Sequence, residues 1–156
     1  QHSLLTTGEP KRGEIVVFES DAADNRLIKR MIGLPGDVIA MHDEKLYING
    51  KQLNYQESKN TIQALFVIEQ ADPISHSIRI DQSTSDVAAN FGAITVPANH
   101  YLVLGDNRHN SADSRAYGFV PRHEIKGKAT AIAFSFDYDN YYLPRANRFF
   151  KDIYSL

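Results

Sequence analysis

Cysteine is absent from this chain of 156 residues, which excludes a disulfide framework and thiolate chemistry and selects no compartment. Long apolar runs are absent too. Runs such as IVVF and ATAIAF are strand-sized, far short of the roughly 18 to 20 residues a membrane span needs. No secretory signal opens the chain, and neither does a methionine, since it begins QHSLLTTGEP. From that opening, Gln1 is expected not to be the native start, something upstream having been cut, processed or left out. With a net charge of −2 and no basic block, no nucleic-acid footprint is expected. Repeats, low-complexity tracts and internal boundaries are also missing. One domain over residues 1–156 is the expectation, with chain enough for a hydrophobic core.

What is present reads as β throughout. GEIVVF, Gly13 to Phe18, is a short β-branched run after the turn-like EPKRG. LIKRMI follows and stops at the Gly-Pro-Gly breaker of GLPGD. VIAMHDEKLYINGKQLNY reads as strands around tight turns, with Asn49-Gly50 a hairpin signal because both residues tolerate positive φ. From Gln56 to Phe91 the pattern weakens. There ALFVI and HSIRI look like strands, DQSTSDVAANFG like a loop or a single helical turn, and no functional reading attaches to the segment. AITVPANHYLVLGDNR returns to strand before the polar loop GDNRHNSADSRAYG, and KGKATAIAFSF is a last strand. The aromatic tail, with Arg145, Arg148 and Lys151, is expected to hold one short helix after Pro144 and to pack on the sheet rather than skim a membrane.

One stretch carries a chemical question. In NRLIKRMIGLPGD, Asn25 to Asp37, strand alternation puts Leu27, Lys29 and Met31 on one face and Ile28, Arg30 and Ile32 on the other. Each face thus holds one cation between apolar neighbours. The plain reading is a lysine whose stem lies along apolar surface while its ammonium reaches water. The chemical reading is a desolvated lysine, neutral near pH 7, acting as a general base, because burial disfavours the charged form. Arg30 cannot fill that role, since guanidinium keeps its proton in proteins.

The loop Gly105 to Arg115, GDNRHNSADSR, is rich in short oxygen-bearing side chains that knit turns. It does not fit a calcium loop. A triad of Ser111, His109 and Asp113 is disfavoured, because all three crowd one loop without a G-x-S-x-G elbow. The six histidines are scattered without metal-ligand spacing, and no metal site is expected.

KRGEIVVF, LIKRMIGLPGD and VPANHYLVLGDNRHNSADSRAYGFVP, in that order, resemble the bacterial type I signal peptidases. These are membrane-anchored serine proteases that remove signal peptides from exported proteins. The resemblance runs from about Gly8 to Asp137. It implies a mostly β fold of strongly bent antiparallel sheets with little helix, and a Ser–Lys dyad in which a neutral lysine takes the proton of an attacking serine. Lys29 stands where the family's lysine stands, and Ser111 where a hydroxyl orients that amine. Asp106, Arg30, Asp113 and Arg115 match positions whose ion pairs hold the loop against the lysine strand. Val17, Leu27 and Ile28 match part of the wall of a pocket for small side chains. No metal or organic cofactor is implied. The implied partners are signal peptides of exported preproteins and, through an N-terminal anchor, the membrane surface, but no nucleic acid. The implied location is the periplasmic side of the bacterial inner membrane, the fragment itself being soluble.

Two departures stand against the pattern. His109 replaces a usual acidic residue, a change expected to be tolerated as a loop-surface charge. More seriously, the family's nucleophile block, of the type S-x-S-M-x-P-T, and the G-D strand after it are not found, nor are the membrane spans. Ser3 lacks the Met-Pro context. The fragment is therefore expected to be inactive and the intact protein an active peptidase. Competing readings are a self-cleaving repressor or pilus-maturation peptidase, a catalytically dead homologue that binds signal peptides or scaffolds other proteins, and an unrelated β binding module.

Overall fold

The computed structural model describes residues 9–71, 74–82 and 90–128. Ser3, the tail with its expected helix, and all of KGKATAIAFSF after Lys128 lie outside them, as does the middle of DQSTSDVAANFG. The described residues form three antiparallel sheets and little helix, as the sequence predicts.

The first sheet is built on β1 (Ile15–Ser20) and β2 (Asn25–Gly33), a hairpin. Its order adds β10 (His100–Leu104) and β11 (Val120–Pro121) beyond β2, and β12 (Ile125–Lys128) beyond β1. β2 sits between β1 and β10 and sends apolar side chains into a core from each of its faces. Leu27 and Met31 enter one core with Val16, Phe18, Val103 and Ile125. Ile32 enters a second with Ile39, Met41, Leu46, Leu102 and Leu104. Register shifts at Val17/Phe18 and Leu102/Val103 are irregularities of the bulge type, which bend the strands they interrupt.

The second sheet runs β5-β4-β3-β9, from β3 (Val38–His42), β4 (Lys45–Ile48), β5 (Lys51–Gln52) and β9 (Phe91–Thr95). Two-residue turns join its first three strands. Asn49 and Gly50 have φ of 53° and 83°, as their sequence predicts; Asp43 and Glu44, at 51° and 69°, make a second such turn that their sequence does not advertise. The β2–β3 connection closes through Asp37 N–H to Leu34 C=O at 2.9 Å, with Gly36 at φ 89°. Gly33 precedes it at a close approach, since a Cβ there would lie 3.0 Å from Leu102 Cβ and Val96 Cγ2.

The third sheet is the meander β6 (Asn54–Asn60), β7 (Ala64–Ala71) and β8 (Ile74–Asp81). It does not stand apart from the first. Arg79 N–H bonds Asp106 C=O at 2.8 Å and Arg108 N–H bonds Arg79 C=O at 2.9 Å, so the loop after β10 runs parallel beside β8.

Candidate active site

Lys29 sits mid-strand in β2 with Val16 opposite it on β1, and only 1% of it is exposed. Its amine does not reach water in the manner of the plain reading; Nζ donates to Ser111 Oγ at 2.9 Å. Arg30, one residue on, leaves from the other face. Its Nε and Nη2 donate to the two Asp106 oxygens at 2.9 and 2.7 Å, and its Nη1 donates to Gly13 C=O at 2.8 Å. A forked pair of this kind fixes direction as well as distance. It ties the lysine strand to the start of the loop that carries Ser111.

Asp113 and Arg115 are also paired, Nε and Nη2 donating at 2.9 and 2.7 Å, but the pair lies wholly within the loop's end. Asp113 accepts in addition from Gly105 N–H at 2.9 Å and from Arg115 N–H at 3.0 Å, the latter capping the short helix α1 (Ser114–Tyr117). Burial pushes its carboxyl up, yet Arg115 and the backbone donors outweigh burial and hold it below the ordinary carboxylate range. This pair closes the loop upon itself, whereas Arg30–Asp106 does the crossing.

His109 is not at a loop surface. Its side chain is 4% exposed, and Nε2 meets a carboxylate oxygen of Glu44 from the β3–β4 turn. The acid missing from the loop position is thus met by one from the second sheet, which no local pattern signals.

Val17, Leu27 and Ile28 do not gather in one wall. Val17 and Ile28 are register partners, while Leu27 pairs with Phe18 on the opposite face, because adjacent strand residues point apart. Leu27 lines a cavity of about 210 Å³ with Phe18, Ser20, Val103, Tyr117 and Phe119, on the Lys29 face. All three residues are buried.

Glu69, Arg108, His76 and Tyr55 form a polar group the sequence reading missed. Glu69 and Arg108 are both fully enclosed, joined by bonds of 2.9 and 2.7 Å. His76 Nε2 lies 2.9 Å from Glu69 Oε1, and the Tyr55 hydroxyl donates to Oε2. Burial raises the Glu69 carboxyl, but Arg108 and then His76 overcome it and hold it well below the usual range. The same burial, with the Glu69 charge, pushes the Tyr55 hydroxyl up. In the sequence Glu69 looks like the polar end of a strand, and its partner lies 39 residues away.

Among the described residues one group of potential metal donors lies close together, Asp21, His123 and Glu124, whose ligand atoms fall within 4.8 Å of one another. Distance along the chain hides such a group from any spacing rule.

The structure thus brings together a buried lysine bonded to a serine, on a strand latched to a loop by a forked ion pair. The model of the family described as signal peptidase, peptidase S26, matches residues 2–134. Signal peptidase I P of Bacillus subtilis subsp. natto is 36% identical over 134 residues, covering 84% of this chain and 63% of that protein. Probable signal peptidase I-2 of Synechocystis is 39% identical over 127 residues, covering 78% and 47%. The crystal structure of a signal peptidase I from Enterococcus faecalis V583 superimposes with a TM-score of 0.51 at 33% identity, covering 79% of this chain and 98% of that one. The chain therefore spans between about half and two thirds of these curated relatives' length. No helix among the described residues is long and apolar enough to cross a membrane. The chain belongs to the signal peptidase family, peptidase S26.

Proposed function

We propose that this chain is the catalytic portion of a serine endopeptidase that cleaves signal peptides from exported preproteins after small residues, working by a Ser–Lys dyad with Lys29 as general base. The observation that carries this reading is the enclosed Lys29 amine bonded to Ser111 at 2.9 Å. A neutral amine has two N–H bonds and one lone pair. Giving one N–H to Ser111 aims the lone pair, which then accepts the proton of an attacking serine hydroxyl. The serine oxygen adds to the peptide carbonyl, Lys29 passes the proton to the leaving amine, and water releases the ester by the same route.

Ser111 is the positioning hydroxyl and not the nucleophile. The attacking serine belongs to a block of the S-x-S-M-x-P-T type that these 156 residues lack, and with it goes a backbone donor for the oxyanion. The intact protein acts at the outer face of the bacterial plasma membrane, with signal peptides as partners. Val17 and Ile28 shape the substrate side from one face of the hairpin, and Leu27 packs from the other.

The reading is tested by incubating a preprotein having alanine before the cleavage site with the full-length protein and, separately, with the 156-residue chain. Cleavage after alanine by the full-length protein alone is expected, lost when that alanine is made a bulky residue. Cleavage by the 156-residue chain would remove the assignment of the nucleophile, and no cleavage by either would remove the enzyme.

A further inference from the structure

We infer that the third sheet is a brace for the base: Glu69 holds Arg108, and through it the loop that aims Ser111 at Lys29. This rests on the reading of Lys29 as base. Residues 54–81 otherwise have no assigned part in the chemistry.

Tyr55, Glu69 and His76 stand in one row across β6, β7 and β8, Tyr55 opposite Glu69 and Glu69 opposite His76. The row converges on a single carboxylate. Tyr55 and His76 bond its two oxygens from either side, and the Arg108 guanidinium closes the group by two parallel bonds. Arg108 is itself the third residue before Ser111. Its Nε donates to Gly105 C=O at 2.9 Å, so one guanidinium spans the first turn of the loop and anchors it to β7. The backbone bonds between Arg79 and the loop at Asp106 and Arg108 align the same two pieces.

The loop is therefore gripped from two sides just ahead of Ser111. Arg30 holds Asp106 from the lysine strand, and Glu69 holds Arg108 from the third sheet. Each grip fixes the direction of one side chain in the loop's first turn. A buried ion pair is a poor source of net stability, because desolvation offsets much of the attraction, but its directional bonds specify geometry. Geometry is what Ser111 needs, since a hydroxyl displaced by about an ångström can cost a rate factor of about 100.

Glu69 and Arg108 are positioning residues, and their action has a signature that loss of fold lacks. In the full-length protein, Glu69→Gln should lower kcat by about 10- to 100-fold with KM little changed. The double variant Glu69→Gln with Ser111→Ala should be no slower than Ser111→Ala alone, since Glu69 acts only through Ser111. Tyr55→Phe removes a single donor to the carboxylate and keeps the ring, so it serves if Glu69→Gln fails to fold; it should show a smaller loss that again vanishes beside Ser111→Ala. Losses that multiply, or an unchanged kcat in both variants, would overturn the brace. Lys29→Ala run in parallel separates the two claims. If it retains activity, the base assignment falls and the brace with it; if it is inactive while the losses multiply, only the brace falls.

Discussion

At the residue scale, two adjacent cations on β2 take different work because a strand sends neighbours to opposite faces. Lys29 goes into the face shared with Leu27 and Met31 and meets Ser111; Arg30 goes to the other and meets Asp106. Truncating Ser111 to alanine removes one hydrogen-bond partner of the amine. Turnover of a preprotein by the full-length Ser111→Ala protein should fall by about 100-fold while remaining measurable. An unchanged rate would show that Ser111 does not orient the base. Lys29 stood out through the family resemblance of LIKRMIGLPGD and the GDNRHNSADSR loop, since its strand pattern alone fits the plain reading as well. Glu69 and Glu44 were not, because each meets its partner only after two sheets are brought together.

At the element scale, the elements that could be read from sequence are those that local chemistry dictates. Asn49-Gly50 advertises its turn, whereas Asp43-Glu44 makes the same turn with a glutamate at φ 69°. Tertiary context supplies the reason: Glu44 is placed there against His109. GLPGD announces a break, and the break falls after Gly33, not at it. That glycine ends β2 at a point where Leu102, Val96 and Ile39 leave no room. Gly33→Ala should lower stability by about 1 to 3 kcal/mol, the usual penalty for overpacking, read as a drop in the denaturation midpoint. An unchanged midpoint would mean that the neighbouring strands shift freely. The segment from Gln56 to Phe91 kept its function hidden for the opposite reason. Its strands are ordinary, and only their row of Tyr55, Glu69 and His76 against Arg108 gives them meaning.

At the scale of the whole molecule, enclosed carboxylates set the response to acid. Glu69 and Asp113 both have carboxyls held below the ordinary carboxylate range. A depressed folded pKa means that the unfolded chain binds these protons first as pH falls. Their contribution is therefore complete above about pH 5 and is lost progressively as pH drops through 4 and below. Urea midpoints between pH 7 and pH 3 should fall steeply on the acid side, and Glu69→Gln should flatten that fall. A midpoint that holds or rises toward pH 3 would contradict the assignment of these groups. The likeness to signal peptidases was legible at this scale from three motifs in order. The way three sheets converge on one loop was not, since it depends on contacts far apart in the chain.

The central claim is that Lys29 is the base, and the most direct measurement is preprotein cleavage by full-length Lys29→Ala, with its fold checked by circular dichroism. The account predicts a native spectrum with turnover lost. Normal turnover by that folded variant would contradict it, leaving Lys29 a packed strand residue and the Ser–Lys chemistry without its proton acceptor.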